Sequence, residues 1–244
     1  SLGQLTQLEA LNISNNQLSA LPDLLGNLIE LEFLDLSSTE IRTPNWIKNL
    51  KKLTAYLSDN NKITEVPEIL SQIPQLTMLS LENNQISLLP EWMSTFTQLT
   101  HLYLSNNQIR SLPEWIGDLV TIKTLYVYSN ELTQIPISLN KLTNLFDFEL
   151  SYNPLNPALQ SAYNACKRGK YEPLFAYLRS LEQNAKPLYE AKLVLVGEGA
   201  AGKTTLLKAL KGEKGKEEPK KDETKTHGVE IDIHGLRLPH PAQD

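Results

Sequence analysis

Apolar residues recur along the first two-thirds of the chain at a nearly constant spacing. The repeating units are 23 residues long, except for the second, which has 22, and they begin at Leu5, Leu28, Leu50, Ile73, Phe96, Leu119 and Leu142. Within a unit, an L-x-L step has the alternation of a short strand. An L-P step followed by an apolar pair is typical of a turn into a short helical segment. The pattern predicts seven stacked coils, each with a strand on one side and a helical turn on the other.

A polar residue interrupts each unit at one fixed place after the strand. A side-chain amide there offers both a donor and an acceptor to the backbone groups of the turn, so a stack of asparagines predicts a hydrogen-bonded ladder inside the coil. The position reads Asn16, Thr39, Asn61, Asn84, Asn107, Asn130 and Asn153. The whole pattern, L-x-x-L-x-L-x-x-N-x-L, resembles the leucine-rich-repeat family over residues 2–156.

Units two and three depart from the pattern. Unit two is one residue short and has Thr39 at the asparagine position and Thr43-Pro44 at the Leu-Pro position. Unit three reads Tyr56-Leu57-Ser58, which puts Ser58 at an expected core leucine. We expect a local irregularity of the solenoid here.

Strand residues that point away from the core are expected to line the concave face. The later units place tyrosines and acids there, and tyrosine is enriched at interaction hot spots. The sequence therefore predicts docking of a basic or mixed protein partner, or of another domain of the same protein. An ordinary solvated face is the alternative. The predicted protein-binding residues are His101, Tyr103, Tyr126, Tyr128 and Glu149.

The period stops after residue 156. Asn156 and Pro157 have the character of an N-cap and a first helical residue, which predicts one helix over 158–168, ending before Gly169, and a second over 171–184. Residues 157–188 are expected to cover the open end of the solenoid, to act as a lever to the next domain, or both.

Composition and charge restrict the class of protein. Hydrophobic residues make up 41% and charged residues 21%, as in soluble globular proteins, and no apolar run is long enough to span a membrane. Residues 1–166 carry 16 acidic and 8 basic side chains, which argues against nucleic-acid binding there. The single cysteine, Cys166, and the lack of a secretory signal favour a cytoplasmic location. His101 has no neighbouring ligands in the sequence that would suggest a metal site.

Residues 197–204 read GEGAAGKT, which matches the phosphate-binding P-loop pattern G-x-x-x-x-G-K-[ST] between a predicted strand (191–196) and a predicted helix (204–211). Glycines and the helix N-terminus would present backbone amides to phosphate oxygens, Lys203 would reach the β- and γ-phosphates, and Thr204 would bind Mg²⁺. The predicted nucleotide-binding residues are Gly197, Gly199, Ala200, Ala201, Gly202, Lys203, Thr204 and Thr205.

A charged stretch, residues 212–223, leads to a second predicted strand at 229–233. In small GTPases a threonine before this strand binds Mg²⁺ and the γ-phosphate. By that resemblance Thr226 is the second metal ligand, with Thr224 as the alternative.

The order of repeats, helical joint and Ras-like segment (VGEGAAGKTTL and THGVEI) resembles the Roco family, most closely its prokaryotic members. The resemblance implies a Roc GTPase domain beginning in residues 189–244, after the solenoid of residues 1–156. It also implies GTP/GDP and Mg²⁺ as ligands, a signalling role, and dimerisation through regions beyond this chain.

The D-x-x-G and N-K-x-D motifs that complete such a domain do not follow the second strand. We therefore expect the complete protein to hydrolyse GTP and this fragment to be inactive. The alternative is a repeat-based interaction scaffold whose P-loop binds ATP or is vestigial.

Overall fold

A computed structural model describes residues 2–18, 20–184, 193–195 and 229–231 of the chain. The chain divides into two compact units, Ser1–Ala185 and Lys186–Asp244. The first is a solenoid closed by two helices, and the described part of the second is a pair of strands.

Seven three-residue strands form one parallel sheet in chain order. Each residue pairs with its equivalent in the next unit, as Leu79 does with Leu102, so that the inward leucines stack into a continuous buried core. The strands are β1 (Ala10–Asn12), β2 (Phe33–Asp35), β3 (Ala55–Leu57), β4 (Met78–Ser80), β5 (His101–Tyr103), β6 (Thr124–Tyr126) and β7 (Asp147–Glu149).

The helical turns on the opposite side are 3₁₀ helices, and from unit one onward each begins directly after a proline. The proline carbonyl accepts the first hydrogen bond, for example from the Ile116 amide to the Pro113 carbonyl (3.1 Å). Apolar residues of these turns, such as Trp115 and Ile116, are buried and close the core from this side. The helices are Leu2–Gln4, Asp23–Asn27, Asn45–Asn49, Glu68–Gln72, Glu91–Thr95, Glu114–Asp118 and Ile137–Lys141.

The predicted asparagine ladder is present. The Asn107 amide donates to the carbonyls of Leu81 (2.9 Å) and Leu104 (3.0 Å), and its oxygen accepts from the Ile86 amide (3.0 Å). The same contacts recur at Asn84 and Asn130. Each rung thus joins two units through groups that are shielded from water.

The irregularity expected in units two and three lies in the return arm and leaves the strand register intact. β2, β3 and β4 pair in the same frame as the other strands. The missing residue falls after Thr39, where Glu40 adopts a left-handed φ of 59° and forms an ion pair with Lys62, itself at φ 57°.

The unusual side chains of these units compensate for one another. Tyr56 takes the inward leucine position and is completely buried, and its hydroxyl lies 2.8 Å from the Thr43 hydroxyl. Ser58, also buried, leaves room for the larger ring, and its hydroxyl accepts a hydrogen bond from the Asn61 amide (2.8 Å). The hydroxyls of Tyr56 and Ser58 are therefore paired inside the core, whereas the buried Trp46 Nε1 of unit two has no hydrogen-bond partner.

Two helices, α1 (Pro157–Asn164) and α2 (Glu172–Asn184), cover the last strand of the solenoid. As predicted, the Asn156 side chain caps α1 by accepting from the Leu159 amide (2.9 Å). α1 ends four residues earlier than the sequence predicted, because the chain turns at Gly169 (φ 70°) between the bridged residues Lys167 and Lys170.

The free edge of β7 is closed by two tyrosine hydroxyls. The Phe148 amide donates to Tyr171 (2.7 Å), and the Leu150 amide donates to Tyr163 (3.0 Å). Both rings also pack edge-to-face on Phe148. The helices thus supply the hydrogen-bond partners that a further repeat would have supplied.

In the second unit, β8 (Leu193–Leu195) pairs with β9 (Val229–Ile231) in an antiparallel arrangement. These strands fall within the two segments that the sequence predicted as strands.

Candidate functional site

The concave face carries an aromatic cluster, which we define as His101, Tyr103 and Tyr126. His101 and Tyr103 project from β5, and Tyr126 projects from the neighbouring β6. The Tyr103 and Tyr126 rings meet edge-to-face with centroids 5.2 Å apart, and the His101 ring stacks beside Tyr103 at 6.3 Å. All three are half-buried, so the cluster is a packed surface that still offers ring area to a partner.

Tyr128 and Glu149 flank this cluster. The Tyr128 hydroxyl accepts a hydrogen bond from the Asn106 amide (3.3 Å). Glu149 is held in place, because its Oε1 accepts hydrogen bonds from the Tyr163 hydroxyl (2.9 Å) and from both the amide and the hydroxyl of Ser151. Burial acts to raise the pKa of Glu149, but these hydrogen bonds outweigh it and the pKa lies below its ordinary value. Glu149 is therefore a fixed negative charge at neutral pH.

Asp147 and Arg168 extend the cluster, and sequence reasoning did not select either of them as a site residue. Asp147 Oδ2 accepts from the Tyr126 hydroxyl (2.8 Å) and from the Arg168 guanidinium (2.5 Å). The hydrogen bond to Asp147, aided by burial, raises the pKa of Tyr126 to about 12. Arg168 also lies over the Phe146 ring, 5.4 Å from its centroid. Asp147 could be read from its strand position, but Arg168 reaches the concave face only because the α1–α2 turn folds back onto β7.

A cleft of about 300 Å³ opens between β7 and the α1–α2 turn. Cys166 lies at this cleft, where burial raises the pKa of its thiol, and the thiol donates to the Ala162 carbonyl (3.3 Å). The thiol is therefore protonated at neutral pH and packs as a small apolar group. The lining residues are Asp147, Phe148, Glu149, Tyr163, Asn164, Cys166, Lys167, Arg168 and Tyr171.

A second group of polar side chains, which we call the acidic row, follows three successive strands on the same face. It consists of Asp35 in β2, Asp59 after β3 and Glu82 after β4. Asp59 Oδ1 accepts from the Ser80 hydroxyl (2.7 Å) and the Glu82 amide (2.7 Å), and Asp35 accepts from the Asn12 side chain (3.0 Å). The sequence shows acidic residues at or just after the strands of consecutive units. It does not show that their side chains are partly or fully buried.

Burial dominates the electrostatics of Asp59 and Glu82 in the acidic row. It raises the pKa of Asp59 above its ordinary value despite the hydrogen bonds that Asp59 accepts, and the nearby charge of Asp35 adds to the shift. Burial and the charge of Asp59 likewise raise the pKa of Glu82. Ionising these carboxyls in the free protein therefore costs more than it would in water.

Within the part of the chain that the structure describes, no group of three His, Cys, Asp or Glu side chains is placed to hold a metal ion. Among the same residues, no helix is long and apolar enough to cross a bilayer.

The predicted nucleotide-binding residues lie outside the described residues. These are Gly197, Gly199, Ala200, Ala201, Gly202, Lys203, Thr204, Thr205 and Thr226.

Three leucine-rich-repeat family profiles match the chain. "Leucine rich repeat" covers residues 48–109, "Leucine Rich repeats (2 copies)" covers residues 97–138, and a third profile, "Leucine Rich Repeat", covers residues 7–28. Together with the parallel sheet, these matches identify the solenoid as a leucine-rich-repeat fold.

Solved leucine-rich-repeat proteins have a similar fold. An LRR protein of Leptospira interrogans is 29% identical with a TM-score of 0.57, and the match covers 67% of this chain and 48% of that one. The internalin C2 of Listeria monocytogenes is 26% identical with a TM-score of 0.58, and the match covers 64% and 66% of the two chains. The first of these proteins is thus about twice as long as the part that matches.

Among curated proteins, a probable serine/threonine-protein kinase of Dictyostelium discoideum, pats1, is 41% identical over 59 residues. The match covers 24% of this chain and 2% of the length of that relative.

Proposed function

We propose that this leucine-rich-repeat solenoid is the protein-docking module of a Roco-type regulatory GTPase. The observation that carries the docking function is the aromatic cluster with its anchored acids on the concave face. Tyr126 is held by Asp147 and packs against Tyr103, so these half-buried rings lose little conformational freedom when a partner covers them. The occupant is a partner protein or another domain of the same protein.

The GTPase part of the proposal is supported by the sequence motif and its context. A predicted strand, the GEGAAGKT segment and a predicted helix follow one another in the order that phosphate binding needs. In the complete protein, Lys203 would neutralise charge on the β- and γ-phosphates, and Thr204 and Thr226 would hold the Mg²⁺ ion. Backbone amides of residues 197–202 and Thr205 would surround the phosphates.

The docking function is tested by replacing Tyr103, Tyr126 and Tyr128 together with alanine in the complete protein. We expect partner affinity to fall at least about 30-fold, since loss of even one aromatic hot spot costs about 2 kcal/mol. The measurement is the dissociation constant for a partner protein recovered with the complete protein, together with the rate of GTP hydrolysis. The matched control is Tyr152→Asn, because Tyr152 is the most exposed of the tyrosines that the structure describes (86%) and its φ of 55° suits asparagine.

If partner binding and GTP turnover both stay normal in the triple variant while the control behaves as wild type, the concave face is a solvated surface and the docking function is rejected. Circular dichroism of the variants establishes that they remain folded.

The nucleotide function is tested by calorimetry with GDP, GTP and ATP in the presence of Mg²⁺, on this chain and on the complete protein. We expect guanine nucleotides to bind the complete protein tightly, and Lys203→Ala to weaken them at least about 100-fold because the cation at the transferred phosphate is lost. The control is Lys208→Ala, which removes a lysine from the predicted helix (204–211) that follows the motif. A preference for ATP, or no binding in either protein, would reject the GTPase and leave a repeat-based scaffold.

A further inference from the structure

The acidic row lacks a basic counterpart within the described part of the chain. The ion pairs there join other residues, and the one that lies on the concave face, Arg168 with Asp147, is at the opposite end of the sheet. Asp35, Asp59 and Glu82 instead accept hydrogen bonds from neutral donors or remain partly unpaired. Three carboxyls on neighbouring strands thus repel one another without a cation between them.

Two buried atoms, one in the row and one next to it, have no hydrogen-bond partner. They are Glu82 Oε1 and the hydroxyl oxygen of Ser105, and Ser105 is completely buried. The Ser105 hydroxyl is close enough to act on the pKa of Glu82, yet the pair does not meet hydrogen-bond geometry. Buried polar atoms without partners are rare in folded proteins and cost free energy, so this part of the face is less stable than a fully paired one.

A partner's cationic side chain fits this environment better than a metal ion does. The described residues assemble no metal-ligand group. A lysine or arginine head group brings several N–H donors as well as a positive charge, so it can bind the partly exposed carboxyls of Asp59 and Glu82 and offset the repulsion within the row. An acidic partner would be repelled by the row. The row is therefore a determinant of specificity for basic partners.

The spacing of the row and the aromatic cluster sets the form of the occupant. Neighbouring strands lie about 4.8 Å apart, so two strands separate Glu82 beside β4 from Tyr126 in β6 by roughly 10 Å. An extended chain covers about 3.3 Å per residue and therefore spans this gap in about three residues.

We propose that the occupant of the docking face is an extended protein segment that places one or two lysine or arginine side chains on the acidic row. About three residues away it places an aromatic or aliphatic side chain on the aromatic cluster. This inference rests on the proposed docking function and adds the chemistry of the partner.

The test uses the 244-residue protein and two fluorescein-labelled peptides. Both contain a phenylalanine in a glycine–serine background, with an arginine pair in one and a glutamate pair in the other, three residues before the phenylalanine. Fluorescence anisotropy is expected to show at least tenfold tighter binding of the arginine peptide. Asp59→Asn combined with Glu82→Gln should reduce this preference at least tenfold. The control is Glu65→Gln combined with Glu68→Gln, which makes the same charge change at exposed positions outside the concave face.

The two substitutions in the row keep the side-chain shapes and remove desolvated charges, so we expect the variant to melt at the same temperature as wild type or higher at pH 7. If both peptides bind equally well and both lose binding in Tyr126→Ala, the proposed preference for a lysine- or arginine-containing partner is wrong. The docking function of the concave face would still be supported. Absence of binding by both peptides would overturn the inference as well, and the tyrosine variants would then decide the docking function separately. Displacement of the arginine peptide by submillimolar Ca²⁺, dependent on Asp59 and Glu82, would overturn it in favour of a metal site.

Discussion

Asn107→Ala is expected to lower the free energy of unfolding by about 3–5 kcal/mol. Asn107 is buried, and its amide serves the carbonyls of Leu81 and Leu104 and the amide of Ile86. Alanine leaves these three groups unpaired inside the solenoid, and each buried unpaired group costs about 1–3 kcal/mol. Urea unfolding followed by circular dichroism measures the change, and the melting temperature should fall by roughly 10 °C.

Gln108→Ala is the matched control for this ladder variant. It removes a neighbouring amide side chain that is exposed, and we expect its unfolding free energy to stay within about 0.5 kcal/mol of wild type. A loss of less than about 1 kcal/mol in Asn107→Ala would contradict the ladder as a stabilising element, because water would then be serving the same three groups.

Gly117→Ala is expected to cost about 3 kcal/mol through a steric clash between two 3₁₀ helices. A Cβ atom at Gly117 would lie 2.2 Å from the Ser138 carbonyl oxygen and 2.6 Å from its carbonyl carbon. Ser138 cannot move away freely, since its hydroxyl donates to the Glu114 carbonyl (2.6 Å) and its amide to the Glu114 carboxylate (3.2 Å). Thermal and urea unfolding measure the loss.

Ser94→Ala is the control for the glycine variant, because Ser94 holds the equivalent position one unit earlier and already carries a Cβ atom. We expect little change in its stability. If Gly117→Ala were as stable as Ser94→Ala, the close approach of the two helices would not contribute to the packing of units five and six.

The periodic part of the fold was accessible from the sequence for a physical reason. Each unit repeats the same contacts with its neighbours, so the inward apolar position is seen seven times in the sequence and the ladder asparagine six times. The start of α1 at Asn156 and Pro157 was also predictable, since capping depends on adjacent residues alone.

The contacts that differ between units could not be predicted in this way. The pairing of Arg168 with Asp147, and the closure of β7 by Tyr163 and Tyr171, depend on where the helices pack against the last unit. The unpaired state of Glu82 depends on side-chain geometry across three strands. The nucleotide-binding residues remain predictions from a motif. Substitution of Lys203 tests whether that motif binds nucleotide.

The buried contact between Tyr56 and Thr43 bears on how this repeat array can evolve. In units one, three, four, five and six a leucine, valine or isoleucine precedes the proline where unit two has Thr43. If gene duplication copied unit three alone behind one of those units, the Tyr56 hydroxyl would lose the neighbour that satisfies it. Units two and three therefore keep this buried contact only when they are copied together, whereas copying a unit with the full leucine pattern breaks no such contact.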